Sequence, residues 1–185
     1  MKAHSLERSQ RGVLLIEVLI SIVIFAIGIL SMISMQAVSV AAQNDSQYRS
    51  EAEHMIDQFT SQVRLAVAHD ATTGNVDAVS FASFAHRADV TVANACNSAS
   101  AGTASTNSVV TDWIRTVRGL DASDNHIAGK GLPGVLDPLL PSGAPRVRID
   151  ANSSTAGINQ LRVTICWQAA NDKTAHSHSV VAYID

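Results

Sequence analysis

The most pronounced pattern in the chain is an apolar run that covers residues 13–35. It contains no Lys, Arg, Asp or Pro, and Glu17 is its one ionisable side chain. As a helix the run would span roughly 35 Å at about 1.5 Å per residue. Because the hydrocarbon core of a bilayer is about 30 Å thick, the pattern predicts one membrane-spanning helix. The polar stretch after Ala42 predicts a globular domain.

Beyond the apolar run, hydrophobic residues recur every three or four positions, which is typical of one face of an amphipathic helix. This stripe comprises Tyr48, Ala52, Met55, Ile56, Phe59, Val63, Ala66 and Val67. The residues Thr72-Thr73-Gly74 then supply a stop signal. We therefore expect one long helix from about Val13 to His69, with its first half in lipid and its second half packed on the globular domain.

Three later segments alternate apolar and polar residues with the period of a β-strand. They are residues 146–150, 161–167 and 177–184, and a short strand is possible at residues 90–92. A second amphipathic helix is predicted by the spacing of Val109, Val110, Trp113, Ile114, Val117 and Leu120, and Gly131-Leu132-Pro133-Gly134 predicts a turn. The expected fold class is α+β, with a long N-terminal helix packed on a small antiparallel sheet.

The pattern divides the chain into four segments. They are a polar leader at 1–12, the apolar helix at 13–35, its amphipathic continuation at 36–70 and a globular domain at 71–185. The leader carries Lys2, Arg8 and Arg11, and positive charge stays on the cytoplasmic side of a membrane. The globular domain is therefore expected in the periplasm. A secretory signal peptide is the simpler alternative, although its apolar core would be about 7–15 residues, shorter than this one.

Glu17 is the residue that a plain membrane anchor does not explain. An ionisable group at the membrane centre costs about 2.5–3.5 kcal/mol on insertion scales, so such a residue usually has a function and a partner. The alternative is that Glu17 lies shallow enough to reach the headgroups. The segment from Arg11-Gly12-Val13 through Glu17 to Ile20 resembles the type III signal of type IV pilins and pseudopilins, which combines a charged leader, a glycine, an apolar run and one placed carboxylate.

The resemblance implies a processing site and an assembly residue. A prepilin peptidase would cut between Gly12 and Val13, and the new N-terminus at Val13 would be methylated. Glu17 would match the family's glutamate five residues into the mature protein. Its carboxylate would pair with the α-amino group of a neighbouring subunit, which offsets the cost of burying either charge alone. Val13 replaces the aromatic residue or Met of many major pilins, and the frequent proline near Ser34 is missing, so the chain differs from a major pilin.

The globular half has a looser resemblance to one group of minor pilins. The segments around Trp113, Pro133 and 163–168 look like the PilV type, the type IV pilus modification proteins. The resemblance implies a minor pilin that joins other minor pilins and the major pilin, first in the inner membrane and then in a pilus used for adhesion or twitching motility. Two alternatives remain open: a minor pseudopilin of a type II secretion system, and an exported enzyme or binding domain with an uncleaved anchor.

Composition and motifs exclude several other function classes. The net charge is −3, and no basic cluster follows the leader, so a nucleic-acid partner is not expected. No catalytic, phosphate-binding or cofactor motif occurs, and we expect neither enzyme activity nor a cofactor. His176 and His178 are one metal-pair candidate, but no third ligand is placed near them in the sequence, and two surface histidines on an edge strand are the simpler interpretation. Cys96 and Cys166 predict one disulfide in an oxidising compartment, with two unpaired buried thiols as the alternative.

Overall fold

A computed structural model describes most of the chain, namely residues 10–89, 96, 102–135, 147–153, 158–169 and 172–185. It contains three helices and three strands within these residues. The chain separates into two compact units, Met1–Ser46 and Gln47–Asp185, which we call unit 1 and unit 2. The boundary between the units lies inside the segment predicted as the amphipathic continuation. The leader up to Ser9 and the possible strand at 90–92 lie outside the described residues.

Helix α1 runs from Gln10 to Ala66 and confirms the predicted long helix. No proline interrupts its 57 residues, and proline is the residue that most often breaks a helix. Its two glycines are Gly12 and Gly28, each of which costs about 1 kcal/mol relative to alanine without ending a helix. The helix therefore passes from unit 1 into unit 2 as one uninterrupted element.

The predicted end of α1 is wrong by a few residues. The helix ends at Ala66, and His69 already forms an antiparallel bridge with Val76. Residues 72–74, which were predicted to stop the helix, instead form the turn between His69 and Val76. Asp70 Oδ1 accepts hydrogen bonds from the backbone N–H groups of Thr72 and Thr73 at 2.8 Å each, and such local bonds compete with the helix.

Two shorter helices follow α1. Helix α2, Ala78–Ala82, was not predicted, and its N-cap is Asp77, whose carboxylate accepts from the first backbone N–H groups of the helix. Helix α3, Ser108–Arg118, confirms the second amphipathic helix. Asn107 caps its start, and Gly119 ends it at a left-handed φ of 67°, a conformation that glycine adopts without a steric penalty.

The three strands form one antiparallel sheet and confirm the α+β class. They are β1, Val147–Ser153, β2, Asn159–Trp167, and β3, His176–Ile184, in the order β1-β2-β3. The register pairs Ile149 with Val163, and Val163 with Val180. Each strand lies close to its predicted position. β1 continues three residues beyond Asp150, and β2 begins two residues before Leu161.

The core of unit 2 lies between the second half of α1, helix α3 and the sheet. Phe59 stacks on Trp113 with ring centroids 4.3 Å apart, and Trp113 Nε1 donates to the Met55 carbonyl at 2.9 Å. Trp167 is fully buried and Trp113 is 4% exposed, so both tryptophans are core residues. The predicted stripe on α1 is buried from Ala52 to Val63 and again at Val67, but Ala66 is exposed.

Candidate functional site

The first candidate site is the apolar surface of unit 1. The large hydrophobic side chains between Leu14 and Met35 are each 42–77% exposed, and none of the most hydropathic window is buried. Soluble monomers seldom expose a continuous apolar surface of this extent. By length and composition, this part of α1 is long and apolar enough to cross a membrane. An exposed apolar surface of this extent is of the kind that lipid or another protein usually covers.

Glu17 interrupts this surface with a carboxylate that the rest of the described chain does not neutralise. Its backbone carbonyl accepts a hydrogen bond from Ser21 Oγ at 2.7 Å, and Ser31 Oγ donates in the same way to Ile27 O at 3.0 Å. The serine hydroxyls are thus satisfied within the helix. Among the described residues, the Glu17 side chain has no hydrogen bond or ion pair.

The predicted processing residues lie one helical turn before Glu17. Gly12 and Val13 belong to the first turn of α1, which begins at Gln10. Val13 lies four positions before Glu17. Residues at this spacing lie on the same helix face, about 6 Å apart along the axis. Cleavage after Gly12 and methylation of Val13 stay predictions.

The two cysteines are brought together. Cys96 and Cys166 lie at disulfide distance, 70 residues apart in sequence, with their Cα atoms separated by 5.4 Å. This Cα separation falls in the ordinary range for disulfides. Cys166 is fully buried in β2, so the pair ties the chain at Cys96 to the middle strand of the sheet, as the sequence predicts.

The two histidines of β3 lie on one face of the strand. His176 and His178 are half-buried, and β3 is an outer strand of the sheet, as the sequence analysis predicts. The His176 ring stacks on Trp167 with centroids 6.1 Å apart, and its Nε2 lies 3.4 Å from Asp172 Oδ2. Within the described ranges, no group of three or more His, Cys, Asp and Glu side chains could hold a metal ion.

One buried ion pair was missed by the sequence analysis. Arg148 Nη2 lies 2.6 Å from Asp150 Oδ1, with both side chains 9% exposed, and Arg148 Nη2 also donates to the Ala88 carbonyl at 3.0 Å. Residues two apart on a strand share a face. The opposite charges of Arg148 and Asp150, two residues apart in a predicted strand, could therefore have predicted this ion pair. The pair lies on the sheet face opposite Val147 and Ile149 and fastens residue 88 to β1.

Three carboxylates organise surface turns of unit 2. The backbone N–H of Asn125 and then its side chain lower the pKa of Asp121. The backbone N–H of Thr73 lowers the pKa of Asp70, and that of Thr103 lowers the pKa of Asp89. Hydrogen bonds to the charged form favour ionisation. These carboxylates serve as turn acceptors, and the arrangement is structural.

The described residues comprise one helix that is long and apolar enough to cross a membrane, and an α+β domain whose cysteines lie at disulfide distance. Comparison with protein-family models, with curated proteins and with solved structures finds no match for the chain.

Proposed function

We propose that the protein is a minor pilin, processed between Gly12 and Val13 and incorporated into a type IV pilus, where it primes or modifies filament assembly. The observation that carries the proposal is the position of Glu17. It is a carboxylate one helical turn after the proposed cleavage site, on an apolar helical surface, with no partner among the described residues. In this interpretation its partner is the α-amino group of Val13 in a neighbouring subunit.

The chemistry of this pairing explains why a carboxylate is retained in an apolar helix. An isolated charge in the membrane is costly, and a buried pair is tolerated when the two charges meet with good geometry. The α-amino group of Val13 exists only after the leader has been removed. Processing and assembly would therefore be coupled, because an unprocessed subunit has no free amine at this depth.

The residues near Glu17 support packing of α1 against neighbouring helices. At about 100° per residue, Ser21, Gly28 and Ser31 lie within about 40° of Glu17 around the helix axis. Small residues let helix backbones approach closely in an apolar environment, and apart from the neighbouring backbone of α1 itself, nothing in the described chain lies within 4 Å of a Cβ placed on Gly28. The face that carries the carboxylate is thus the face best suited to a helical partner.

Substitution of Glu17 by alanine tests the proposal. We expect the variant to insert in the membrane and to be processed normally, but to enter filaments at least about tenfold less efficiently, because an unpaired amine would remain in the assembled core. The matched control is Glu53→Ala, which removes an exposed carboxylate from the same helix in unit 2. Normal incorporation of the Glu17 variant would contradict the proposal.

The type of assembly in which the protein is found distinguishes a minor pilin from a pseudopilin of a secretion system. A minor pilin is expected to co-purify with pili sheared from the cell surface. If deletion of the protein instead blocks the export of other proteins and leaves pili intact, the chain is a pseudopilin of a type II secretion system. Both results are compatible with the same processing and the same role for Glu17.

A further inference from the structure

The two outer strands of the sheet differ in how their backbone edges are covered. β1 is bridged on its outer side by the segment that follows α2, through His86 N–H to Ile149 O at 2.9 Å and Ile149 N–H to His86 O at 2.8 Å. β3 has β2 on one side, and no strand or bridge lies on its other side among the described residues. The open edge of the sheet is therefore β3.

The sequence of β3 itself lacks the features that usually protect an open edge. Natural edge strands are commonly short, bulged, or supplied with Lys or Pro, because an exposed row of backbone groups pairs readily with another chain. β3 has nine residues, HSHSVVAYI, and continuous pairing with β2 from His176 to Ile184. Its sequence contains neither Lys nor Pro.

A groove lies beside the last part of this edge. Its volume is about 670 Å³, and it runs between the 180–183 stretch of β3 and one side of α1. The α1 side is polar and comprises Asp57, Thr60, Ser61 and Arg64. Val181 and Tyr183 are 40% and 54% exposed on the β3 side. The groove therefore combines a backbone edge with a helical wall.

One contact shows which backbone groups face the groove. Arg64 Nη2 donates a hydrogen bond to the Tyr183 carbonyl at 3.3 Å, so this carbonyl points away from β2 toward α1. In an antiparallel strand, alternate residues direct both their N–H and their C=O to the same side. The N–H and C=O of Val181 therefore also face the groove, whereas Val180 and Ala182 direct theirs toward β2.

We propose that this groove is a docking site for an extended segment of another polypeptide, which adds to β3 as a fourth strand. Strand addition to an exposed sheet edge obtains its affinity from backbone hydrogen bonds and its selectivity from alternate side chains. The outward groups of Val181 and Tyr183 supply the hydrogen bonds, with Arg64 releasing the Tyr183 carbonyl.

The width of the site favours a single segment over a second copy of the chain. A new strand needs about 4.8 Å beside β3. Two copies paired through β3 would each bring α1 to the same side of the joined sheet, and packed helices need about 8–10 Å between their axes. One extended segment satisfies the strand spacing without placing a second helix against the α1 wall.

The charges of the wall indicate the chemistry of the segment. Asp57 and Arg64 lie two helical turns apart on the α1 side, at opposite ends of the groove, which corresponds to about 10 Å along the helix axis. We infer a segment with a basic side chain near Asp57 and an acidic side chain near Arg64. The inference concerns unit 2 alone and goes beyond the proposed function, so it holds whichever machine contains the protein.

Hydrogen–deuterium exchange of the full-length protein, read by mass spectrometry at residue level, tests the proposal. In detergent, the Val181 and Tyr183 amides should exchange rapidly because they face the groove. In membranes from the cells that make the protein, both amides should exchange at least about tenfold more slowly. Equal rates in the two preparations would overturn the proposal. Protection already present in detergent, and dependent on protein concentration, would identify a second copy as the occupant and also overturn it.

Two variants of one residue separate docking from general stabilisation. Val181→Pro removes an outward N–H and no bond to β2, a position where edge strands tolerate proline, and should abolish the added protection at Tyr183. Val181→Thr keeps the N–H and should retain the protection. Retained protection in the proline variant would contradict strand addition.

A substitution on the helical wall covers the case in which the proline variant does not fold. Ser61→Trp fills the groove from α1 and leaves β3 unchanged, so it should also remove the protection at Val181 and Tyr183. Gln62→Trp is the matched control, because residue 62 is exposed but does not line the groove. Protection that survives Ser61→Trp would place the partner elsewhere. A mature N-terminus other than Val13 would instead contradict the proposed function and leave this test intact.

Discussion

Two isoleucines of the same helix show how differently the two units of the protein use apolar residues. Ile24 is 65% exposed in unit 1, whereas Ile56 is fully buried in unit 2 against the core that contains Phe59 and Trp113. Both have the same side chain, and both belong to α1. The difference is that the described residues of unit 2 supply packing partners for Ile56, whereas those of unit 1 leave Ile24 exposed.

The polar groups of the two units follow the same division. In unit 2, Arg148 and Asp150 neutralise each other at 2.6 Å within the domain. In unit 1, Glu17 has no such partner among the described residues. The charges of the Arg148–Asp150 pair meet within unit 2, whereas the Glu17 carboxylate has no charged partner in the described part of the chain. The following substitutions test this division.

Loss of the disulfide should produce the largest change in the stability of unit 2. Replacing Cys96 and Cys166 by serine opens a loop of 70 residues, which should lower the free energy of unfolding by about 4 kcal/mol in the chain-entropy model. Urea unfolding followed by tryptophan fluorescence measures this loss, because Trp113 and Trp167 both lie in the core. Membrane insertion of unit 1 should be unchanged. An identical unfolding midpoint would show that the two cysteines are not bonded.

Alanine substitution of the two isoleucines should sharpen the comparison most directly. Ile56→Ala should lower the free energy of unfolding of unit 2 by about 3 kcal/mol, because it leaves a cavity in a packed core. Ile24→Ala should change the same quantity by less than about 0.5 kcal/mol, since its side chain contacts no core. Equal effects of the two substitutions would contradict the division between the units.

The buried ion pair should have a smaller effect when its charge alone is removed. Asp150→Asn keeps a hydrogen-bond acceptor beside Arg148 but removes the negative charge, which should destabilise unit 2 by about 2 kcal/mol. Replacement of both residues by apolar side chains of similar volume should recover much of this loss. An unchanged urea midpoint for Asp150→Asn would show that the charge of Asp150 does not contribute to the stability of unit 2.

Acid should have the smallest effect through the turn carboxylates. Because backbone and side-chain donors lower the pKa of Asp121 in the folded state, the folded protein binds fewer protons there than the unfolded chain. The resulting stability is present above the unfolded pKa and is lost as the pH falls through the folded pKa, below about pH 4. Between pH 5 and pH 3, the thermal midpoint of the Asp121→Asn variant should therefore fall by less than that of the wild type. An equal fall in the two thermal midpoints would show that Asp121 does not contribute to the loss of stability in acid.

Elements with strong periodicity were predictable from the sequence, and those held by local side-chain bonds were not. The long α1, the stripe around Trp113 and the three strands have clear hydrophobic periods. Helix α2 has only five residues and depends on the Asp77 cap, and the end of α1 depends on Asp70 and the bridge at His69. Such interactions leave little trace in a hydrophobic pattern.

The candidate sites divide in the same way. Glu17 was evident from the sequence because one charge in an apolar run is conspicuous. The sequence analysis placed the histidines of β3 on an edge strand, but it did not predict the groove beside that edge, because the position of α1 beside Tyr183 arises from tertiary packing. The inward direction of His176 and His178 follows from the strand phase, which pairs Ile165 with His178.

The mature N-terminus tests the central claim most directly. Intact-mass and peptide mass spectrometry of the protein isolated from its own cells should show a chain that begins at Val13 with one added methyl group. Cleavage at this position creates the α-amino group with which Glu17 of a neighbouring subunit is proposed to pair. A protein that still begins at Met1, or one that begins beyond the apolar run at Gln43, would contradict the account.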